Sequence, residues 1–144
     1  IVRDGEGVTK FITLAITNAA SDTAADAIAQ TIATSQLVKT AFYGSDANWG
    51  RIIAAAGRAG VAFDPDKARL WITPGEAISE DDGPGLLLFT DGQPTDYEEK
   101  QASDIMASAS IYVTLDCGTG DGTATIWTCD LSHDYVSINA DYRT

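Results

Sequence analysis

Glu6 is the residue near the start of the sequence whose surroundings suit ligand binding. It lies between Gly5 and Gly7, where the backbone can come close to a ligand and the carboxylate can be aimed at it. A carboxylate that faces an ammonium group makes a charge-assisted hydrogen bond. The same three residues also fit a simple turn whose acid is solvated, and the local sequence leaves both interpretations open.

The C-terminal stretch is a second candidate site. Residues 135–139 (YVSIN) alternate large apolar and small polar side chains, which is the pattern of a half-buried strand. Val136 and Ile138 are predicted to face a core, so Asn139 points away from it. A strand that ends only five residues before Thr144 carries its last side chains to a fixed place. The alternative is an edge strand with a solvated end.

Other catalytic and metal-binding patterns are weak. The only histidine, His133, lies in a segment that looks like a turn, whereas a catalytic triad needs a histidine held by an acid and touching a nucleophile. One histidine and two separated cysteines cannot complete the usual four-ligand zinc site. The aspartates of the C-terminal third lack the spacing of a calcium loop, and turn or cap roles are expected for Asp116, Asp121, Asp130 and Asp134. No metal is predicted.

Residues 118–122 (GTGDG) resemble a phosphate-binding loop only superficially. Such a loop opens a helix, but here β-favouring residues follow, so the sequence predicts a hairpin turn between strands over 111–115 and 124–128. Around a tip near Gly120, Cys117 and Cys129 would be offset by roughly 20 Å along the ladder. That exceeds the ~7 Å limit between the Cα atoms of a disulfide, so both are predicted to be buried free thiols in a reducing compartment.

The composition excludes several classes of partner. The chain has 144 residues, of which 44% are hydrophobic and 21% charged, enough for a domain with a real core. Nine basic residues against twenty-one acidic ones give a net charge of -12, which argues against nucleic-acid binding. No run of eighteen apolar residues and no signal-peptide pattern occurs, so neither membrane insertion nor export is predicted and a cytoplasmic location is expected.

The elements that must position these residues follow from periodicity and turn signals. We predict a strand over 10–17, helices over 22–38 and 48–57, strands over 70–72 and 86–89, a helix from a capping box at 95–98 to 108, and strands over 111–115, 124–128 and 135–139. This order indicates an α+β fold with helices layered on a mixed or antiparallel sheet. The acidic, Gly- and Pro-rich stretch 74–84 divides the chain into subdomains over 1–73 and 74–144.

The second helix carries three further predictions. Asp46 is expected to cap it, and Gly50 in its first turn is expected to mark close contact with another backbone. Trp49 is predicted to be a packing anchor. Arg51 is predicted to pair with an acid such as Asp46.

Three blocks of sequence, taken together, carry a resemblance to a known family. They are 4–10 (DGEGVTK), 37–41 with 44–51 (LVKTA, GSDANWGR), and the tail from Cys129-Asp-Leu through Asp134-Tyr-Val to Ile138-Asn-Ala-Asp-Tyr-Arg-Thr144. In this order they resemble the ornithine acetyltransferase family, the glutamate N-acetyltransferases of arginine biosynthesis. The resemblance runs from the first residues to the last.

The resemblance implies a layered αββα fold and a precursor that cuts itself before a threonine. That threonine, at the start of the β chain, takes acetyl from N-acetylornithine as an acyl-enzyme and passes it to glutamate. Some members also accept acetyl-CoA, and no other cofactor is implied. The α and β chains intertwine and form a higher oligomer. Glu6, Asn139 and Thr144 match positions that bind the amino-acid part of the substrate.

The start of the sequence departs from the family pattern. A complete β chain would begin with the threonine and a further stretch, whereas this sequence begins at Ile1, directly before the first block. Thr9 and Thr13 lie within or after that block and cannot be the nucleophile. We therefore expect the C-terminal part of a β chain with no catalytic residue of its own. A smaller departure is Ala47, where the family usually has proline.

Two other functions are compatible with the sequence. One is an amidase or aminopeptidase with an N-terminal nucleophile, in which water replaces glutamate as the acceptor. The other is a non-catalytic module that binds a small molecule. Whether acetyl-CoA is used, and whether the pathway is arginine synthesis or secondary metabolism, is not encoded in any motif.

Overall fold

The computed structural model describes residues 10–130, which form one mixed sheet with helices packed on it. The elements in chain order are β1 (Phe11–Ala19), α1 (Asp22–Ala33), α2 (Gln36–Tyr43), α3 (Trp49–Gly57), a 3₁₀ turn (Pro65–Lys67), β2 (Arg69–Pro74), β3 (Leu86–Thr90), β4 (Gln93–Pro94), α4 (Glu99–Met106), β5 (Ser110–Asp116) and β6 (Gly122–Cys129). The strand order in the sheet is β4-β3-β2-β5-β1-β6. The predicted α+β class with a mixed sheet is confirmed.

The core lies between the sheet and the helices. Ile12, Leu14 and Ile16 of β1 are almost fully buried, as their alternation predicts. They lie beside the parallel strand β5, whose Ile111, Val113 and Leu115 are their direct partners. Burying each such side chain stabilises the fold by about 1.5–3 kcal/mol. Helix α1 packs closely on β1 and β6 because its buried face is built largely of alanines.

The first predicted helix is two helices in the structure. Helix α1 ends at Ala33, and α2 begins at Gln36. Ser35 between them takes an extended backbone conformation, and its hydroxyl accepts a hydrogen bond from Val38 N at 3.3 Å. This N-cap explains the break, since it starts a new helix axis where the apolar periodicity alone continued. Residues 39–43, which lie beyond the predicted helix, also belong to α2.

Strands β5 and β6 do not form the predicted hairpin, because β1 lies between them. The connecting loop steps over the end of β1, and Thr119 N and Gly120 N both donate to Asn18 O, at 2.9 and 3.0 Å. A Cβ on Gly120 would lie 2.5 Å from Ala19 O. Gly120 is therefore required by the close crossing of two backbones rather than by a hairpin turn or an anion.

Cys117 and Cys129 are both buried and free, as predicted. The predicted hairpin offset between them is wrong, because the two cysteines lie on strands that β1 separates. Cys129 is the direct partner of Phe11 at the start of β1. Cys117 follows β5 and donates its N–H to Thr17 O near the other end of β1. The cysteines therefore lie near opposite ends of that strand.

The predicted capping box at Thr95 and Glu98 is wrong. Thr95 belongs to the sheet edge, where its N–H donates to Leu88 O at 2.9 Å and its hydroxyl donates to Leu87 O at 2.6 Å. Helix α4 starts later, at Glu99, and Glu98 caps it without a side-chain hydrogen bond. The apolar run 86–89 forms β3, which is next to the edge of the sheet because the edge strand is the two-residue β4.

Strands from both predicted subdomains share the sheet. Strand β5 pairs in parallel with β1 and antiparallel with β2. The boundary after residue 73 falls within the last two residues of β2, and residues 76–82 of the loop are exposed as expected. The division into 1–73 and 74–144 stays a prediction.

Candidate functional site

The three predicted site residues, Glu6, Asn139 and Thr144, lie outside the described residues, and so does His133. The described range begins and ends at the two residues that lead into the segments carrying these predicted groups. These residues are Lys10, just before β1, and Asp130, just after β6. The geometry around them is therefore the described part of the candidate site.

Lys10 and Asp130 are bonded to each other directly beyond the last ladder pair, Phe11 and Cys129. Asp130 Oδ1 accepts the backbone N–H of Lys10 at 3.0 Å, and Asp130 N donates to Lys10 O at 3.4 Å. Asp130 is fully buried, and Lys10 is 7% exposed. A carboxylate that accepts a backbone N–H in such surroundings makes a strong, charge-assisted hydrogen bond. The two described chain ends are thus held together.

The Lys10 side chain extends to the turn between α2 and α3. Its Nζ donates to Phe42 O and to Ser45 Oγ, the latter at 2.8 Å. Phe42 is in the last turn of α2, where a cation is favourable because the free carbonyls carry partial negative charge. Ser45 has a φ of 55°, a left-handed conformation that non-glycine residues adopt at a cost. We call Lys10, Phe42, Ser45 and Asp130 the Lys10 junction.

Burial shapes the electrostatics of this junction. Burial lowers the pKa of the Lys10 ammonium by more than the negative charge of Asp130 raises it. Burial also raises the pKa of the neighbouring Cys129 thiol, with an opposing effect of Lys39 and a further increase from Asp130. Cys129 is therefore a protonated, unreactive thiol at neutral pH. The junction contains no activated nucleophile among the described residues.

The Lys10 junction joins all three sequence blocks. Lys10 ends the block 4–10, Ser45 lies in the block 44–51, and Asp130 belongs to the tail block. Lys10 was not predicted to matter, yet its sequence position carried a signal. It is in phase with Ile12, Leu14 and Ile16, so its side chain points to the buried face, where a lysine requires partners.

The rest of the block 44–51 is structural. Asn48, and not Asp46, caps α3, since Asn48 Oδ1 accepts Arg51 N at 3.1 Å. Asp46 instead accepts from Asn48 Nδ2 at 3.1 Å. The predicted pairing of Arg51 with Asp46 is wrong, because the guanidinium donates to Leu37 O at 2.9 Å and ties α3 to α2.

The predictions for Trp49 and Gly50 had different outcomes. Trp49 packs on Phe89 with ring centroids 5.4 Å apart, so its predicted role as a packing anchor is confirmed. No backbone approaches Gly50 closely, since a Cβ there would meet only the Asn48 side chain, at 3.5 Å. The expectation of close backbone contact at Gly50 was therefore wrong.

The face of the sheet opposite the helices has a different character. Thr13 and Thr114 are buried there, and their hydroxyl oxygens have no hydrogen-bond partner among residues 10–130. Trp71, Tyr112 and Trp127 are their neighbours across the strands. Trp127 is 55% exposed. We call these five residues the second sheet face.

An open groove of about 560 Å³ lies between α4 and the β2–β3 connection, and Asp82 and Asp104 are its acidic lining residues. Asp104 is already paired with Lys100 at 3.0 Å, so the groove offers no pair of free carboxylates for catalysis. Between residues 10 and 130, no three His, Cys, Asp or Glu side chains are close enough to hold a metal ion. No helix in that same range is long and apolar enough to cross a membrane.

Comparison with known proteins gives one consistent answer. The ArgJ family model matches residues 1–144. The chain is 45% identical to the mitochondrial arginine biosynthesis bifunctional protein ArgJ of Fusarium vanettenii, over 100% of this chain and 33% of that protein. It is 45% identical to the arginine biosynthesis bifunctional protein ArgJ of Chlorobium chlorochromatii, over 100% of this chain and 31% of that protein. The chain therefore spans about a third of the length of these curated relatives.

A solved structure matches as well. The crystal structure of ArgJ from Bacillus halodurans superposes with a TM-score of 0.85 at 39% identity, covering 98% of this chain and 62% of that one. At this level of identity and superposition, the two chains share their fold.

Proposed function

Because the chain belongs to the ArgJ family, we propose that it works as part of an acetyltransferase that moves an acetyl group from N-acetylornithine to glutamate. The curated relatives are named for arginine biosynthesis and are about three times as long. The activity is therefore assigned to a longer polypeptide that includes this chain, and the chain's own share is to hold substrate.

The observation that supports this share is the Lys10 junction. Glu6 is four residues from Lys10, so chain connectivity keeps their Cα atoms within about 14 Å. Asn139 is nine residues from Asp130, which limits that separation to about 32 Å. Since Lys10 and Asp130 are hydrogen-bonded, the segments that carry the two predicted binding groups leave the described fold at the same place. A shared pocket is compatible with these limits.

The chemistry of the proposed reaction needs few groups from this chain. An N-terminal threonine elsewhere in the longer protein attacks the acetyl carbonyl of N-acetylornithine, and its own amine accepts the hydroxyl proton. The C–N bond breaks, ornithine leaves with that proton on its amine, and the acetyl group stays as an ester on the threonine. The amine of glutamate then attacks the ester and releases N-acetylglutamate, while the threonine oxygen regains a proton.

Positioning is the contribution that remains for this chain. Glu6 supplies a carboxylate for the ammonium group of the amino-acid substrate, Asn139 supplies an amide, and Thr144 supplies a hydroxyl. Holding the acceptor amine beside the ester converts a bimolecular attack into a nearly unimolecular one. N-acetylornithine carries the acetyl group itself, so we propose that no cofactor is needed and that acetyl-CoA is an alternative acetyl donor.

The test uses the full-length protein. We expect Glu6→Ala and Asn139→Ala each to lower kcat/KM for acetyl transfer roughly 10- to 100-fold, the value of a hydrogen bond to a charged group. Glu80→Ala in the exposed loop is the matched control and should match the wild type. Ornithine and N-acetylglutamate are measured together. Wild-type turnover in both Glu6 and Asn139 variants would remove this site from the proposal.

The same assay separates the rival functions. Release of acetate and ornithine without formation of N-acetylglutamate would identify an amidase that uses water as the acceptor. Binding of the amino acid without any turnover in the full-length protein would identify a non-catalytic module. Transfer that requires both substrates supports the acetyltransferase.

We further propose that the second sheet face packs against the α chain. Two buried hydroxyls without partners among residues 10–130, beside a half-exposed tryptophan, fit a surface that a second layer covers. About two thirds of the relatives' length lies outside this chain and can supply that layer. The α chain, the higher oligomer of αβ units and a cytoplasmic location together complete the proposal.

Co-purification tests this contact. Trp127→Asp should weaken retention of the α chain by a tagged β chain, because it places a charge in an apolar interface. Ile78→Asp, at a loop residue of similar exposure, should leave it unchanged. Equal retention in both variants would show that the α chain does not cover this face.

A further inference from the structure

Lys10 presents a problem that the proposed function does not solve. A lysine that is 7% exposed loses most of the hydration of its charge. A methionine of similar length would fill the same space without that cost, and replacing buried ionic groups by apolar ones is often neutral or stabilising. Stability alone therefore does not explain the lysine. What an apolar residue could not provide is the hydrogen bonds of the Lys10 ammonium.

The links of Lys10 are to two separate segments. Its main chain is fixed to Asp130 at the end of β6, and its Nζ is fixed to Phe42 O and Ser45 Oγ in the α2–α3 turn. An apolar side chain would preserve the first link and lose both others. Lys10 thus connects the start of β1 and the end of β6 to the α2–α3 turn.

These links lie directly beside the segments that carry the predicted binding groups. Lys10 is four residues after Glu6, and Asp130 is nine residues before Asn139. A shift of the start of β1 relative to the α2–α3 turn would move the point from which both segments extend. The reaction is sensitive to such shifts, since a misplacement of about 1 Å can cost about 10²-fold in rate.

We propose that Lys10 is a positioning residue for acetyl transfer, whose ammonium ties the start of β1, already joined to Asp130 through its main chain, to Phe42 O and Ser45 Oγ. This inference rests on the proposed function, because it assigns Lys10 a role in holding the acceptor amino acid. A positioning lysine would affect attack by glutamate and attack by water differently, whereas a purely structural lysine would not. Glutamate must be held for its amine to attack the acyl-enzyme, whereas water attacks the same ester without being held by these groups.

The experiment measures how the acyl-enzyme divides between the two acceptors. Full-length enzyme is acetylated with N-acetylornithine, freed of ornithine by rapid gel filtration, and placed in buffer with or without glutamate. Loss of the acetyl adduct from the β chain is followed by intact-protein mass spectrometry. We expect Lys10→Met to slow the glutamate-dependent loss about 10²-fold and to change the loss in buffer alone very little.

Two milder variants keep the inference testable if Lys10→Met fails to fold. Ser45→Ala removes one acceptor of the ammonium and leaves Phe42 O in place, and Asp130→Asn keeps an acceptor oxygen while removing the charge. Each should lower the ratio of glutamate-dependent to water-dependent loss, by less than Lys10→Met. Lys100→Met, at an exposed lysine that pairs with Asp104, is the matched control and should leave the ratio unchanged.

The outcomes are distinguishable from a failure of the proposed function. If wild-type enzyme forms no acetyl adduct, the acetyltransferase proposal fails and this inference falls with it. If the wild type forms the adduct and transfers it, but every folded junction variant keeps the wild-type ratio, only the role of Lys10 is overturned. A parallel fall in both rates would overturn that role as well, since it would show a structural lysine. A fall in the ratio alone supports the positioning role.

Discussion

Replacing Gly120 by alanine tests the crossing of the β5–β6 loop over β1. The added Cβ would lie 2.5 Å from Ala19 O and 3.2 Å from Ala20 Cα. Real Cβ atoms essentially never come closer than 3.0 Å to another heavy atom, so the loop must move by at least 0.5 Å relative to the end of β1. Both neighbours that it would meet are main-chain atoms, and neither can rotate out of the way.

The cost follows from what that movement stretches. Thr119 N and Gly120 N hold the loop to Asn18 O at 2.9 and 3.0 Å, and each such hydrogen bond is worth about 0.5–1.5 kcal/mol. Overpacking of a tight site costs about 1–3 kcal/mol. We therefore expect Gly120→Ala to lower the free energy of unfolding by about 2 kcal/mol, which corresponds to a Tm lower by about 4–8 °C.

The assay compares thermal and urea unfolding of the full-length protein with acetyl-transfer kinetics. Gly57→Ala is the matched control, because a Cβ at Gly57 meets nothing within 4 Å; it should keep or slightly raise the Tm. The Gly120 loop lies at the end of β1 opposite Lys10, so kcat/KM of the folded variant should stay at the wild-type value. A Gly120→Ala protein as stable as the wild type would refute the crossing.

Three further predictions concern stability and the tail. Burial, with a smaller contribution from Asp116, raises the pKa of the Cys117 thiol from 9.0 to about 11; the unfolded thiol ionises first, so this contribution is complete below pH 9 and is lost as the pH rises toward 11. Between pH 9 and 11 the wild type should therefore lose up to about 3 kcal/mol more unfolding free energy than Cys117→Ala, as measured by urea unfolding. A difference between the two proteins that does not change with pH would contradict the cause. Asn48→Ala should cost about 1 kcal/mol by removing the cap of α3, while Asp46→Asn, which keeps an acceptor oxygen, should cost less in the same urea titration. Thr144→Val should lower kcat/KM for transfer, because the Thr144 hydroxyl is predicted to contact substrate; unchanged kinetics would exclude that contact.

Local patterns in the sequence predicted the parts of the fold that depend on local physics. The alternation in β1 identified the buried face, and the helix predicted over 48–57 agrees with α3, which ends at Gly57. The break between α1 and α2 was missed, although Ser35 is a standard N-cap, since the apolar periodicity continued across it. Element type was thus easier to predict than element boundaries.

Strand order could not be predicted from the same information. A short glycine-rich connection is compatible with a hairpin and with a loop that steps over one strand. The difference is set by β1, which is about a hundred residues earlier in the sequence and inserts between β5 and β6. The capping box predicted at Thr95 was wrong for a similar reason, because the Thr95 hydroxyl donates to a carbonyl of β3 and not to the start of α4.

The candidate site was predicted through the sequence blocks and not through geometry. Local sequence offered Glu6 and Asn139 as candidates, and the blocks assigned them, with Thr144, to substrate binding. All three lie outside residues 10–130, while Lys10 and Ser45 were assigned no role and Asp130 only a turn or cap role. Lys10 could have been found from its phase with the buried residues of β1, since a charge in that phase requires partners. Its partners Ser45 and Asp130 are 35 and 120 residues away, so only the folded chain could identify them.

The two ends of β1 therefore separate two kinds of requirement. At the Ala19 end, glycines allow another backbone to cross, and a larger residue there should affect stability without affecting transfer. At the Phe11 end, a buried lysine loses hydration in exchange for fixed links to two segments, and its replacement should affect transfer more than stability. If Gly120→Ala changed the division of the acyl-enzyme between glutamate and water as strongly as Lys10→Met, the strand would transmit disorder along its whole length. The separation of roles along β1 would then be wrong, whichever residues bind the substrate.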